Sequence, residues 1–217
     1  MKSKVTSTQR ALNLWAIILI IWAVYRAKFK LPVWMDEFIA KPLVFILPVY
    51  YYVKRIEKKD IFSALDLKFK VTFSDILTTL LIGGIFSFSA ILANVLKYKK
   101  FVFWQQASGE NLLLLIALAL ATGISEEILS RGFVLKRLYE ESKNIYTSSF
   151  FASILFLFLH IPILFTNYKL TGDMLLLFLG TDLVLSLVNS FMFLQRRSLI
   201  VPILIHAFYN LSVIFFI

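Results

Sequence analysis

Seven apolar runs separated by short polar or basic segments organise the chain. They lie at Ala11 to Tyr25, Pro42 to Val53, Ile76 to Leu96, Leu112 to the Glu126 region, Phe150 to Phe165, Met174 to Leu194 and Leu199 to Ile217. Most are long enough for a helix to cross a hydrocarbon core, which takes about 20 residues. The second is short and interrupted by Pro42 and Pro48, so a kinked or partly re-entrant helix is expected there. The first run is flanked by Lys2, Lys4 and Arg10 before it and by Arg26, Lys28 and Lys30 after it. That layout is shared with signal peptides, but no small-x-small cleavage site follows, so a retained helix is expected. The pattern predicts an all-α polytopic membrane bundle of about seven helices, six to eight in range.

Composition agrees with the pattern. Hydrophobic residues make up 59% and charged residues 17% of the 217, and the mean hydropathy is +0.80, beyond what a soluble domain keeps from water. No repeat, low-complexity tract or interdomain linker interrupts the chain, so residues 1–217 read as a single integral membrane domain. The chain has no cysteine, which excludes disulfides, thiolate metal sites and a cysteine nucleophile. The net charge of +10 suits attraction to anionic headgroups, and no aromatic and basic pattern points to nucleic acid. In a seven-span layout, fifteen Lys and Arg fall on the side of the N-terminus and of residues 54–75, 131–143 and 195–198, against eight on the other. Basic loops stay in the cytoplasm, which places the N-terminus inside.

Polar groups within the apolar runs carry the chemistry, because an ionisable side chain at membrane depth is costly. Both histidines of the chain, His160 and His206, lie inside such runs, and Glu126 and Glu127 end the run that starts at Leu112. Glu126 stands eleven residues before Arg137, His160 twelve after Ser148 and His206 nine after Arg197. At about 1.5 Å of rise per residue, each sits roughly 14 to 18 Å from the same side. A common depth for three helices favours one site. Glu127 and Arg131 are spaced i, i+4, as expected of a supporting ion pair. This leaves Glu126 without a local cation, hence the better general-base candidate. His206 and Asn210, also i, i+4, put two potential donors on one face, where they can hold an oxyanion. Asp182, Ser186 and Asn189 form a further inward polar stripe, read as interhelical hydrogen bonding or groove lining without a catalytic role.

Three motifs resemble the CPBP family of CAAX proteases and bacteriocin-processing enzymes, which are intramembrane glutamic endopeptidases. They are Glu126-Glu127-Ile-Leu-Ser-Arg131, Phe156-Leu-Phe-Leu-His160 and His206-Ala-Phe-Tyr-Asn210. The likeness covers residues 111–217 as catalytic helices and leaves residues 1–110 as accessory helices. It implies that Glu126 and His160 activate a water while His206 and Asn210 stabilise the oxyanion, with Glu127 and Arg131 holding the geometry. Where the family commonly has Gly-x-x-x-Gly and a Thr-Gly-Ser turn, this chain has Ser186, Ser190 and Arg196-Arg197-Ser198.

The expected substrate is a small peptide or a membrane-associated protein, in a bacterial plasma membrane, with bacteriocin or peptide maturation or self-immunity as the role. No cofactor is expected, and the oligomeric state is left undetermined. Glu126, His160 and His206 also form a conceivable zinc set, although no His-Glu-x-x-His motif is present. A non-catalytic immunity or scaffold protein is the other alternative. A transporter is disfavoured, because neither a repeat nor paired broken helices occur.

Overall fold

A computed structural model describes residues 5–68, 70–103, 111–166 and 172–216. Eight helices account for nearly all of them. α1 spans Ser7–Lys28, where Thr6 accepts from the Gln9 N–H as N-cap. α2 occupies residues 33–57 and is composite. Its α-helical turns at Val33–Met35 and Leu47–Tyr51 alternate with π-helical stretches at Asp36–Ala40, Pro42–Ile46 and Tyr52–Glu57. α3 is a single turn, Ile61–Ala64. α4 (Phe73–Tyr98) starts from a reciprocal capping box between Thr72 and Asp75. α5 runs Leu112–Ser142, with a π-helical stretch at Ile128–Leu135 directly after Glu127. α6 is Ile145–Thr166, α7 Gly172–Arg196 and α8 Ile200–Phe216.

The all-α membrane bundle expected from the pattern is what forms. Five helices, α1, α4, α5, α6 and α7, are long and apolar enough to cross a membrane. α8 is apolar but has 17 residues. α2 is long, yet it carries Asp36, Glu37, Lys41, Lys54, Arg55 and Glu57. The second run therefore extends well beyond the expected Pro42 to Val53, as one unbroken helix in which both prolines are absorbed. Proline lacks the N–H that closes an α-turn. Around Pro42 the backbone uses wider turns instead, with the Lys41 N–H on the Asp36 carbonyl and the Leu47 N–H on that of Pro42.

Contacts between helix ends set the directions. At one end the Thr8 hydroxyl bonds the Arg137 carbonyl at 2.9 Å. Arg137 grips Glu57 through two bonds of 2.9 and 2.7 Å, and Lys136 pairs with Asp66 at 2.9 Å. This end holds the start of α1, the ends of α2, α5 and α7, and the starts of α4, α6 and α8. It is called the basic end below. At the opposite end Arg26 pairs with Asp36, and the Asn94 amide donates to the Phe216 carbonyl at 2.5 Å.

The main core lies towards the basic end, where Ala11, Trp15 and Ile18 of α1 meet Phe45, Val49, Leu129, Phe133 and Phe156. A smaller cluster of Leu185, Val201, Ile205 and Tyr209 joins α7 to α8. Gly123 allows α5 and α8 to touch. A Cβ there would stand 3.0 Å from the Ile203 carbonyl and 3.6 Å from the His206 Cβ. The closeness brings the next turn of α5, which carries Glu126 and Glu127, within reach of His206.

Candidate active site

Glu127 is fully buried and organises the site. Its Oε1 accepts from Arg131 Nη1 at 3.0 Å, Asn189 Nδ2 at 2.9 Å and His206 Nδ1 at 2.8 Å. A carboxylate in hydrocarbon surroundings is tolerated only with such partners. Arg131, 1% exposed, also donates through Nη2 to the Ser186 carbonyl and hydroxyl at 3.0 and 2.8 Å. Its guanidinium lies 4.4 Å from the ring centroid of Phe156. The same ring meets the His160 imidazole at 4.8 Å and that of His206 at 5.9 Å. Phe156 thus packs against the supporting cation and both histidines.

Four turns of different helices then meet. Glu126, 4% exposed, presents Oε2 to His160 Nε2 and to His206 Nε2, each 3.7 Å away. Those separations exceed direct hydrogen bonds and suit a small group between them. The far nitrogens are held: His206 Nδ1 by Glu127, and His160 Nδ1 by the Phe156 carbonyl at 3.2 Å with Asp182 Oδ2 at 3.4 Å. Each ring therefore turns its Nε2 towards Glu126. Asn210, one turn beyond His206, lines the same cavity.

The depth argument thus brings Glu126, His160 and His206 together, and the Glu127–Arg131 pair forms at the expected spacing. One expectation needs correction. Glu126 is not without a cation, because Lys41 Nζ lies 2.8 Å from its Oε1 and 2.7 Å from Glu37 Oε2. The Thr122 hydroxyl adds a 2.6 Å bond to Glu37. Local spacing on α5 could not reveal a partner eighty-five residues away. Lys41 lies just before the run expected at Pro42 to Val53, and its i, i+4 relation to Glu37 is the local signal that it belongs to a helix. Asp182, read as interhelical bonding or groove lining, does line the cavity and sits 3.4 Å from His160, while Ser186 and Asn189 of the same stripe hold Arg131 and Glu127.

The cavity has a volume of about 600 Å³, within the usual span of roughly 300 to 1,000 Å³ for small-ligand sites. Glu126, His160, His206, Asp182 and Asn210 share its lining with Trp22, Trp34, Leu114, Leu118 and Val213. Among the described residues, no group of three or more His, Asp or Glu side chains has an arrangement that could hold a metal ion.

Residues 108–212 match the Rce1-like family, described as type II CAAX prenyl endopeptidase Rce1-like. No curated protein and no solved structure matches the chain. The matched segment contains all six motif residues and Asp182, whereas Lys41 and Glu37 lie outside it.

Proposed function

We propose, from the match of residues 108–212 to the type II CAAX prenyl endopeptidase Rce1-like family and from the site geometry, that this protein hydrolyses peptide bonds within the membrane by a glutamate-activated water. The observation that carries the reading is the free Oε2 of Glu126, facing two imidazole Nε2 atoms at 3.7 Å while Lys41 occupies Oε1. A water there reaches Glu126 and His160 together. Glu126 takes its proton, the hydroxide oxygen adds to the scissile carbonyl carbon, and the carbonyl oxygen becomes the oxyanion. His206 Nε2 and the Asn210 amide, on one face of α8, supply its hydrogen bonds. Glu127 holds His206 through Nδ1 at 2.8 Å and so aims its Nε2 at the oxyanion. The proton held by Glu126 then passes to the leaving amine, and the C–N bond breaks. His160, oriented by Asp182 and the Phe156 carbonyl, steers the water.

Rigid helices hold these groups in a site largely shielded from bulk solvent, where fixed dipoles act more strongly than in water. The substrate in this reading is a small peptide or a segment of a membrane-associated protein, and peptide maturation or self-immunity is the cellular role.

Purified, chelator-treated protein incubated with detergent-solubilised hydrophobic peptides tests the assignment. Cleavage is expected to persist in chelator and to vanish in Glu126→Gln and His160→Ala. Activity that disappears with stoichiometric zinc would establish the metallopeptidase instead. Biological function retained by folded Glu126→Gln would leave a non-catalytic immunity or scaffold role.

A further inference from the structure

We propose that Lys41, held in place by Glu37, is a positioning residue for Glu126, so that α2 builds part of the peptidase machinery from outside the segment matched to the family. The inference rests on the endopeptidase reading of the site.

Two helix turns face each other in register. Glu37 and Lys41 stand four residues apart on α2, as Thr122 and Glu126 do on α5, and residues at that spacing share a helix face. Lys41 Nζ lies 2.8 Å from Glu126 Oε1 and 2.7 Å from Glu37 Oε2. The Thr122 hydroxyl closes the square, donating to the same Glu37 oxygen at 2.6 Å. All four side chains line the cavity that holds His160 and His206.

This clasp does more than make a buried charge tolerable. Glutamate has several staggered rotamers and a broad terminal torsion, so an unanchored carboxylate would present either oxygen to the cavity. With Oε1 fixed on Lys41, Oε2 is the oxygen that faces both imidazoles, and it has no hydrogen-bond partner among the described residues. Lysine carries its ammonium on a flexible four-carbon stem. The second carboxylate, Glu37, immobilises it. If neutralising Glu126 were the only demand, one ammonium alone would meet it.

The backbone marks the same place. Lys41 falls between the π-helical stretches Asp36–Ala40 and Pro42–Ile46, and Glu126 stands two residues before the one at Ile128–Leu135. Wide turns of this kind recur at functional sites. Here they flank both partners of one contact.

In the reaction, Glu126 takes a proton from water and later gives it to the leaving amine. A donor fixed on Oε1 keeps Oε2 in one position through both steps. Lys41 retains its own protons throughout, so it orients the base without exchanging with the reacting atoms.

Lys41→Ala removes the ammonium and leaves room for a small amine. With detergent-solubilised hydrophobic peptides, kcat is expected to fall about 100-fold, the cost of misplacing a reacting group by about 1 Å. KM should stay unchanged, because the lost contact serves Glu126 and not substrate binding. Propylammonium added to the variant should restore most of the lost turnover, whereas propanol, similar in size but uncharged, should not. Glu37→Gln added to Lys41→Ala removes the repulsion between the carboxylates, and the same rescue is read in that background if the single variant fails to fold. A wild-type kcat without the ammonium, or a loss that propanol restores equally or that neither compound restores, overturns the proposal. Wild type and Glu126→Gln are assayed alongside. No cleavage by the wild type, or cleavage unchanged in Glu126→Gln, refutes the endopeptidase reading and this inference with it. Cleavage abolished by Glu126→Gln but untouched by Lys41→Ala refutes the positioning role alone.

Discussion

Lys41→Met removes the cation that joins the N-terminal helices to the candidate catalytic acid. The two bonds of Lys41 limit the separation of Glu37 Oε2 and Glu126 Oε1 to 5.5 Å. Without the ammonium, two carboxylates that near repel by about 3 kcal/mol at an effective dielectric constant of about 20. Losing one partner of a buried ion pair costs about 3 to 5 kcal/mol by mutational precedent, which agrees. Both side chains are well shielded, at 9% exposure for Lys41 and 6% for Glu126, so solvent screening reduces the figure little. The expected loss of about 3 kcal/mol is read by reversible unfolding of purified protein in mixed detergent micelles. Glu37→Gln added to Lys41→Met removes the repulsion and should restore at least half of the lost stability, while peptidase turnover stays low because Glu126 has lost the anchor on Oε1. A Lys41→Met protein within about 0.5 kcal/mol of the wild type, the usual scatter of neutral surface changes, would refute the reasoning.

Other substitutions probe the remaining parts. Phe156→Leu keeps an apolar side chain but removes the ring beneath Arg131, and a loss of about 1 to 2 kcal/mol is expected for a desolvated cation–π contact, measured in the same unfolding assay. Gly123→Ala forces a methyl group to 3.0 Å from the Ile203 carbonyl; α8 must shift, and turnover should fall more than stability because His206 moves with it. Asp182→Asn should lower kcat with little change in KM, since Asp182 acts through His160; an unchanged kcat would remove it from the site.

What the sequence made legible was periodic or local. Apolar runs located the helices, and the i, i+4 spacing of Glu127 and Arg131 anticipated their ion pair. Equal depths in three helices anticipated the meeting of Glu126, His160 and His206. What escaped was tertiary in origin. α2 was undervalued because its charges and prolines mask its apolarity, and only packing shows that Glu37, Lys41 and Asp36 are neutralised by partners on their own and other helices. The inward stripe was legible, but only packing divides it, with Asp182 on the cavity and Ser186 and Asn189 on Arg131 and Glu127. The π-helical stretches at Pro42–Ile46 and Ile128–Leu135 were equally beyond a 3.6-residue reading, since they leave no periodic signature of their own.

Hydrolysis by a Glu126-activated water is tested most directly by the origin of the oxygen in the product. Membrane peptides incubated with purified protein in heavy-oxygen water, then sequenced by mass spectrometry, should show new C-terminal carboxylates carrying one heavy oxygen each. With Glu126→Gln, folded and inserted as the wild type is, those termini should be absent. Labelled termini formed equally by wild type and Glu126→Gln would contradict the account.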